Sequence, residues 1–166
     1  CIRDTFSGDV PRELLSSFAD FPPQRPALSY GVAATGTWSH LSPPTPGSTN
    51  DTSERLAGIL PAPWASVARG FYSQPIVVEL LASDPLATIW YTLDGREPGP
   101  GSGQRYTSAL EFAGTPDQAV VTLRASLRRN GFVASRTRTW TYLFVEHVLS
   151  QPSNPAGFSR SWGSAP

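Results

Sequence analysis

An all-β chain, folded as an antiparallel β-sandwich behind an irregular Pro/Gly-rich amino-terminal arm, is predicted by three observations. The first is a set of short segments in which apolar and polar residues alternate with period two, as half-buried strands require. The second is turn chemistry between those segments at intervals of about ten residues. The third is composition: 17 Pro and 14 Gly in 166 residues are punctuation that helices tolerate badly.

Residues 1–52 are short on alternation and rich in breaks such as Phe21-Pro22-Pro23 and Pro43-Pro44-Thr45-Pro46-Gly47. Within them Val10 to Phe18 predicts a short helical turn opened by Pro11. Ser29-Tyr30-Gly31 and Gly36-Thr37-Trp38 place large aromatics on either side of a glycine-containing turn, which predicts a hairpin. Residues 53–69 read as a linker. Leu56, Ile59, Leu60 and Trp64 are interrupted there by Pro61 and Pro63, which resist both helix and central strand. The segment should lie extended along the next module, with Trp64 as an anchor or, alternatively, as a platform for a ligand.

Regular patterning occupies residues 70–145. Pro75 to Leu81 is a first strand, and Asp84-Pro85 turns the chain into a second from Thr88 to Leu93. On that strand Ile89, Tyr91 and Leu93 should face the core and Thr88, Trp90 and Thr92 the other side. Asp94-Gly95 supplies a positive-φ turn and Pro98 forbids a further ladder donor. Gly99 to Gly103 is too glycine-rich to order itself, and Tyr106 to Phe112 resumes as strand.

Val120 to Arg128 alternates most cleanly, with Val121, Leu123, Ala125 and Leu127 inward and Thr122, Arg124, Ser126 and Arg128 outward. Asn130-Gly131 turns the chain toward a last strand near Ser135 to Val145, where Trp140, Tyr142 and Phe144 share the core register. Five or more short strands at this spacing describe a sandwich of immunoglobulin or fibronectin-III type. Residues 146–166 lose the alternation and read as a connector.

Tyr91-Thr92-x-Asp94-Gly95-x-x-Pro98, followed by Tyr106, Leu123-Arg124-Ala125 and Thr139-Trp140-Thr141-Tyr142, resembles the small module named after the C-terminal domain of chitobiase and β-hexosaminidase, also described as a fibronectin-III-associated domain. The resemblance runs from about Gly70 to Phe144. It implies a structural role for Tyr91, Asp94, Gly95, Pro98, Tyr106 and Tyr142. In chitobiase-like enzymes the catalytic acids belong to a separate barrel, so only an accessory module is implied here. Upstream, Pro44 to Asn50 with the Ser-Tyr-Gly element resembles the ending of bacterial lamin-tail domains. Downstream, Gln151 to Gly163 resembles the connector that precedes kinase-like domains of the spore-coat-H type in large secreted bacterial proteins. A piece lying between two larger neighbours, secreted or at the cell surface, is therefore expected.

The formal net charge is zero, with 13 basic and 13 acidic residues, so the total suggests neither a nucleic-acid footprint nor an acidic-surface partner. All the basic residues are Arg, which reads as genomic composition bias, and Met is absent, which reads as an excised or processed piece. The single cysteine, Cys1, excludes an internal disulfide framework and a cysteine-rich zinc site. It is read either as a fragment boundary or as a lipidated first residue. No run approaches the ~20 apolar residues of a membrane span.

Catalysis, cofactors and metals are not expected. Glycoside hydrolysis needs two carboxyls facing each other across a cleft. Asp94 and Glu97 are the one close acidic pair in the module, and they sit on a turn beside Arg96 where both should stay ionised. Asp94 is better read as bonding its own turn backbone. His40 and His147 have no partners at metal-ligand spacing and read as single surface histidines. Asp51, Asp84, Asp94 and Asp117 show no calcium-loop spacing.

One candidate surface remains. Trp90 lies opposite the inferred core face, and Arg124 and Arg128 lie outward on another strand; if the two strands are neighbours, indole and guanidinium groups share a face. That face could stack a sugar, receive an adjacent domain, or be an internal cation–π cover. The expected function is a non-catalytic structural or adhesion module spacing domains of the same polypeptide. The alternative is a carbohydrate-binding accessory module whose partner is a polysaccharide.

Overall fold

A computed structural model describes residues 21–149. The helical turn expected over residues 10–18, the connector over 151–163 and Cys1 lie outside the described residues. The chain divides after Leu56 into two compact units.

The described part of the first unit is a three-stranded antiparallel sheet. The predicted hairpin forms: β1 (Ser29–Val32) pairs with β2 (Trp38–Ser42), with Tyr30 opposite His40 and Val32 opposite Trp38. Two backbone bonds, Ala33 N to Thr37 O and Gly36 N to Ala33 O, close the turn, in which Gly36 takes the positive φ of 78° that suits glycine. Strand β3 (Glu54–Leu56) adds to the other edge of β2, so residues 54–56 belong to this sheet and not to a free linker. The Pro-rich loop between β2 and β3 is tied back by Asn50, whose Nδ2 donates to Val32 O at 2.8 Å.

His40 corrects an expectation. It is buried, not a surface histidine, because its strand position points it at the covered face, with its ring 5.1 Å edge-on from that of Tyr30. Its Nε2 has no hydrogen-bond partner among the described residues.

The second unit is an immunoglobulin-like sandwich. One layer contains five strands in the order β5 (Gly70–Tyr72), β12 (Arg138–Phe144), β11 (Val120–Arg128), β8 (Thr88–Thr92) and β9 (Gln104–Arg105). All its pairings are antiparallel except β12 with β5. The facing layer consists of β6 (Ile76–Val78) with β10 (Leu110–Phe112), and β4 (Trp64–Ala65) with β7 (Leu80–Leu81). A short helix, α1 (Val145–Leu149), follows β12.

The core fills as the alternation predicts. Val121, Leu123 and Ala125 of β11 meet Tyr142 and Phe144 of β12 and Tyr91 of β8, and from the other layer come Val78, Leu80 and Phe112. Trp140 and Tyr106 are partly buried against them. Tyr142 lies 5.7 Å from the ring of Phe112, and its hydroxyl donates to Val67 O at 3.1 Å. Each buried aromatic hydroxyl thereby keeps a partner: the Tyr91 hydroxyl donates to Gln104 Oε1 at 2.9 Å.

Several expectations need correcting. The run from Pro75 to Leu81 is two strands, not one. At Glu79 the chain changes partners: its N–H donates to Ser66 Oγ, and its O accepts from Ser66 N. The alternation survives the switch, with Val78 and Leu80 buried and Val77 and Leu81 exposed. Tyr106 to Phe112 is likewise not one strand: β9 ends at Arg105, and of that run only Leu110–Phe112 is strand, β10, in the other layer. Leu93 is not a core residue. The strand ends at Thr92, and Leu93 is 44% exposed on the turn. Trp64 is not an anchor but 41% exposed, while Leu60 and Pro63 are the buried residues of that segment. Ile59 bridges Val133, and Leu60 N donates to Val133 O, so residues 57–65 pair with the sandwich.

Candidate functional site

The strand register decides what lies beside Trp90. On β11, Ser126 pairs with Trp90, Arg128 with Thr88 and Arg124 with Thr92; across the other edge of β8, Arg105 pairs with Trp90. Side chains directly opposite share a face, so Ser126, Trp90 and Arg105 form one outward row, with Arg124 and Arg128 diagonal to the indole.

Part of this face is covered by the loop that follows β8. Three side chains of the sheet donate hydrogen bonds to its carbonyls. Thr92 Oγ1 reaches Arg96 O at 2.7 Å, Ser126 Oγ reaches Pro98 O at 3.0 Å, and Arg124 Nη1 reaches Gly95 O. Arg124 Nη2 also meets Glu97 Oε2 at 2.6 Å, and the Thr137 hydroxyl bonds Glu97 Oε1. Under this clamp Pro98 is fully buried, and Thr92 and Ser126, expected outward and exposed, are covered. The Asp-Gly-x-x-Pro motif thus forms a lid on the sheet's outer side. Gly95 turns at φ 79°, and Ser102 N and Gly103 N both close on Gly99 O. At Gly99 a Cβ would stand 3.0 Å from Arg128 Nη2, so the loop passes closely over that guanidinium.

The two carboxylates of the motif are engaged. Asp94 Oδ2 lies 2.6 Å from both Nε and Nη2 of Arg96, and Oδ1 accepts from Arg96 N at 3.1 Å. The side-chain bond from Arg96, followed by the backbone bond, holds the Asp94 carboxyl below the usual carboxylate range, and the same contact raises Arg96. Such an acid keeps its charge and does not donate a proton near neutrality. Glu97 is turned the other way, to Arg124 and Thr137. Asp84 is held by Arg129 at 2.9 Å and by the backbone of Leu86, and its carboxyl is also lowered. Among the described residues no group of three or more His, Cys, Asp or Glu is placed to hold a metal. No described helix is long and apolar enough to cross a membrane.

Beyond the lid the outer face stays open. Trp90, Thr88 and Arg128 line a hollow of about 670 Å³, together with Leu86, Pro100 and Phe132. Trp90 and Arg128 are therefore brought together, whereas Arg124 is drawn away into the lid. Around the hollow it is Arg129 whose guanidinium stacks on an aromatic, 4.6 Å over the ring of Phe132. Sequence reasoning missed Arg105 and Phe132. Arg105 follows a glycine-rich loop that conceals the register of β9, and the signal for Phe132 was its place just after the Asn130-Gly131 turn.

No curated protein sequence and no solved structure matches the chain. Residues 67–139, which hold most of the sandwich strands, match the family model of the chitobiase/beta-hexosaminidase C-terminal domain.

Proposed function

We propose that the chain is a non-catalytic β-sandwich module that spaces and orients neighbouring domains of a larger secreted or cell-surface polypeptide. One observation carries this reading: the acidic residues of the motif are consumed in fastening the lid, Asp94 on Arg96 and Glu97 on Arg124. Neither faces a second carboxyl across a cleft, as hydrolysis would need. The family match supports an accessory module and leaves open what the parent polypeptide does. In this reading Tyr91, Pro98, Tyr106 and Tyr142 hold the fold. Residues 1–52 would be the end of a lamin-tail-like domain, 70–145 the sandwich proper, and 146–166 a connector toward a kinase-like neighbour.

Incubation with chromogenic glycosides and with chitin oligomers tests the reading. No chromophore should be released. A neutral oligomer should change tryptophan fluorescence only toward millimolar concentration, where ~4 kcal/mol of net binding remains. Turnover that disappears in Asp94→Asn would overturn it.

The second reading, a carbohydrate-binding accessory module, is favoured by a specific observation too: an indole and a guanidinium line the same open hollow, Trp90 with Arg128.

A further inference from the structure

The charges around the hollow do not cancel locally, although they cancel over the chain. Arg129 is neutralised by Asp84, and Arg124 by Glu97. Arg128, which lines the hollow, and Arg105, on the opposite flank of Trp90, make no ion pair or hydrogen bond through their guanidinium groups among the described residues. A flat apolar side chain therefore stands between two uncompensated cations on the open part of an otherwise lidded sheet.

We propose that this face binds an acidic polysaccharide built of uronic-acid rings, one ring lying against Trp90 with its carboxylate on Arg128. The proposal deepens the carbohydrate-binding reading and rests on the non-catalytic one, since the bound chain is not cut. Four features favour this ligand chemistry. A pyranose has an apolar face that an indole can cover, and a uronate carries its carboxylate at the ring edge, where a guanidinium beside the indole meets it in a forked geometry. The hollow has the volume of ordinary small-ligand sites and is open at the side, as a polymer passing through requires. Thr88 and Asn130 line it as well and supply hydroxyl and amide partners for ring hydroxyls. Arg105 lies one strand further, ~4.8 Å across the sheet from Trp90, a step comparable to the length of one sugar ring, so a chain crossing from β11 to β9 would set its next carboxylate near it.

The full chain is titrated with polygalacturonate oligomers, neutral chitin oligomers and single-stranded DNA, with tryptophan fluorescence and calorimetry as readouts. Polygalacturonate should bind at least tenfold more tightly than the neutral oligomer, and the affinity should fall as salt rises. Trp90→Ala and Arg128→Gln should each weaken it about tenfold or more. Arg128→Gln keeps a polar side chain at the exposed strand end, so it reports on the site if Trp90→Ala fails to fold. Equal binding of neutral and acidic oligomers, tighter binding of DNA, no binding of polygalacturonate, or binding untouched by Arg128→Gln would overturn the proposal. Release of new reducing ends from the polymer would instead overturn the non-catalytic reading, and is scored separately.

Discussion

Arg124 Nη2 and Glu97 Oε2 meet at 2.6 Å across the boundary between the sheet and the loop that covers it. The same guanidinium donates to Gly95 O, so one side chain of β11 holds the Asp-Gly-x-x-Pro turn at two points. The link is local chemistry in the service of long-range order: a nine-residue strand carries the fastening for a turn that precedes it by almost thirty positions.

Replacing Arg124 by Ala should therefore loosen the lid without dissolving the core. Glu97 is largely exposed and its ion pair is screened, so the cost should be about 1–2 kcal/mol, most of it from the lost carbonyl bond and packing. Hydrogen exchange checks the mechanism. Amides of residues 95–103 should lose protection while those of Leu123 and Tyr142 keep it. Uniform loss over both regions would mean that Arg124 supports the whole sandwich.

Gly114 should be among the least replaceable residues of the module. It holds φ at 63°, and a Cβ there would stand 2.3 Å from the Cδ1 and Cγ of Phe144. Both the backbone and the core resist a side chain, and Gly114→Ala should cost about 2–4 kcal/mol. A urea unfolding midpoint unchanged by the substitution would show that Phe144 can move aside.

Tyr142 should contribute to a fall in stability at alkaline pH. Burial, and then the nearby Tyr72, push its hydroxyl up to about 12, whereas an unfolded tyrosine ionises near pH 10. Folding thus keeps the proton on. The contribution is complete below about pH 10 and is lost as pH rises through the folded value near 12. Tyr142→Phe should flatten the fall in stability between those values, and Tyr142→Ala should cost about 3–5 kcal/mol at neutral pH, as large aromatic deletions in packed interiors do. Parallel alkaline slopes for wild type and Tyr142→Phe would contradict the assignment.

Why some of this was legible in the chain and some was not follows from what each segment buries. Strands β11 and β12 bury one face in the core, so Val121, Leu123 and Ala125 alternate with polar neighbours and the core face can be read off directly. The hairpin of β1 and β2 was legible because its large aromatics flank a glycine turn: Tyr30 and Trp38 are diagonal across the register, with their rings 5.6 Å apart. Thr92 and Ser126 could not be placed. They look like exposed strand positions until the lid returns over them, and that return depends on bonds to carbonyls of Arg96 and Pro98, which leave no trace in side-chain pattern. Strands of two or three residues such as β4 and β9 are too short for a period to register. Of the candidate surface, Trp90 and Arg128 were legible from alternation alone, while the role of Arg105 needed the β8–β9 register.

The segment ahead of the regular strands gives the sharpest test of where the sandwich begins. Pro61 and Pro63 make it look like a connector, yet it supplies buried surface and backbone partners. Leu60 is 2% exposed, Ala57 N donates to Gly131 O, and Val133 N donates to Gly58 O. Ser66 exchanges bonds with Glu79 at the point where β6 gives way to β7, so losing it would free the strand switch as well. Prolines are tolerated because the segment lies at an edge and pairs through only some of its amides. A fragment of residues 57–149 should unfold cooperatively, whereas one of residues 70–149 should be less stable by at least about 3 kcal/mol, since removing one fully buried leucine alone costs about that much. Thermal and urea unfolding of the two fragments decides the matter. Equal stability would return residues 57–69 to the status of a linker and place the start of the folding unit at β5.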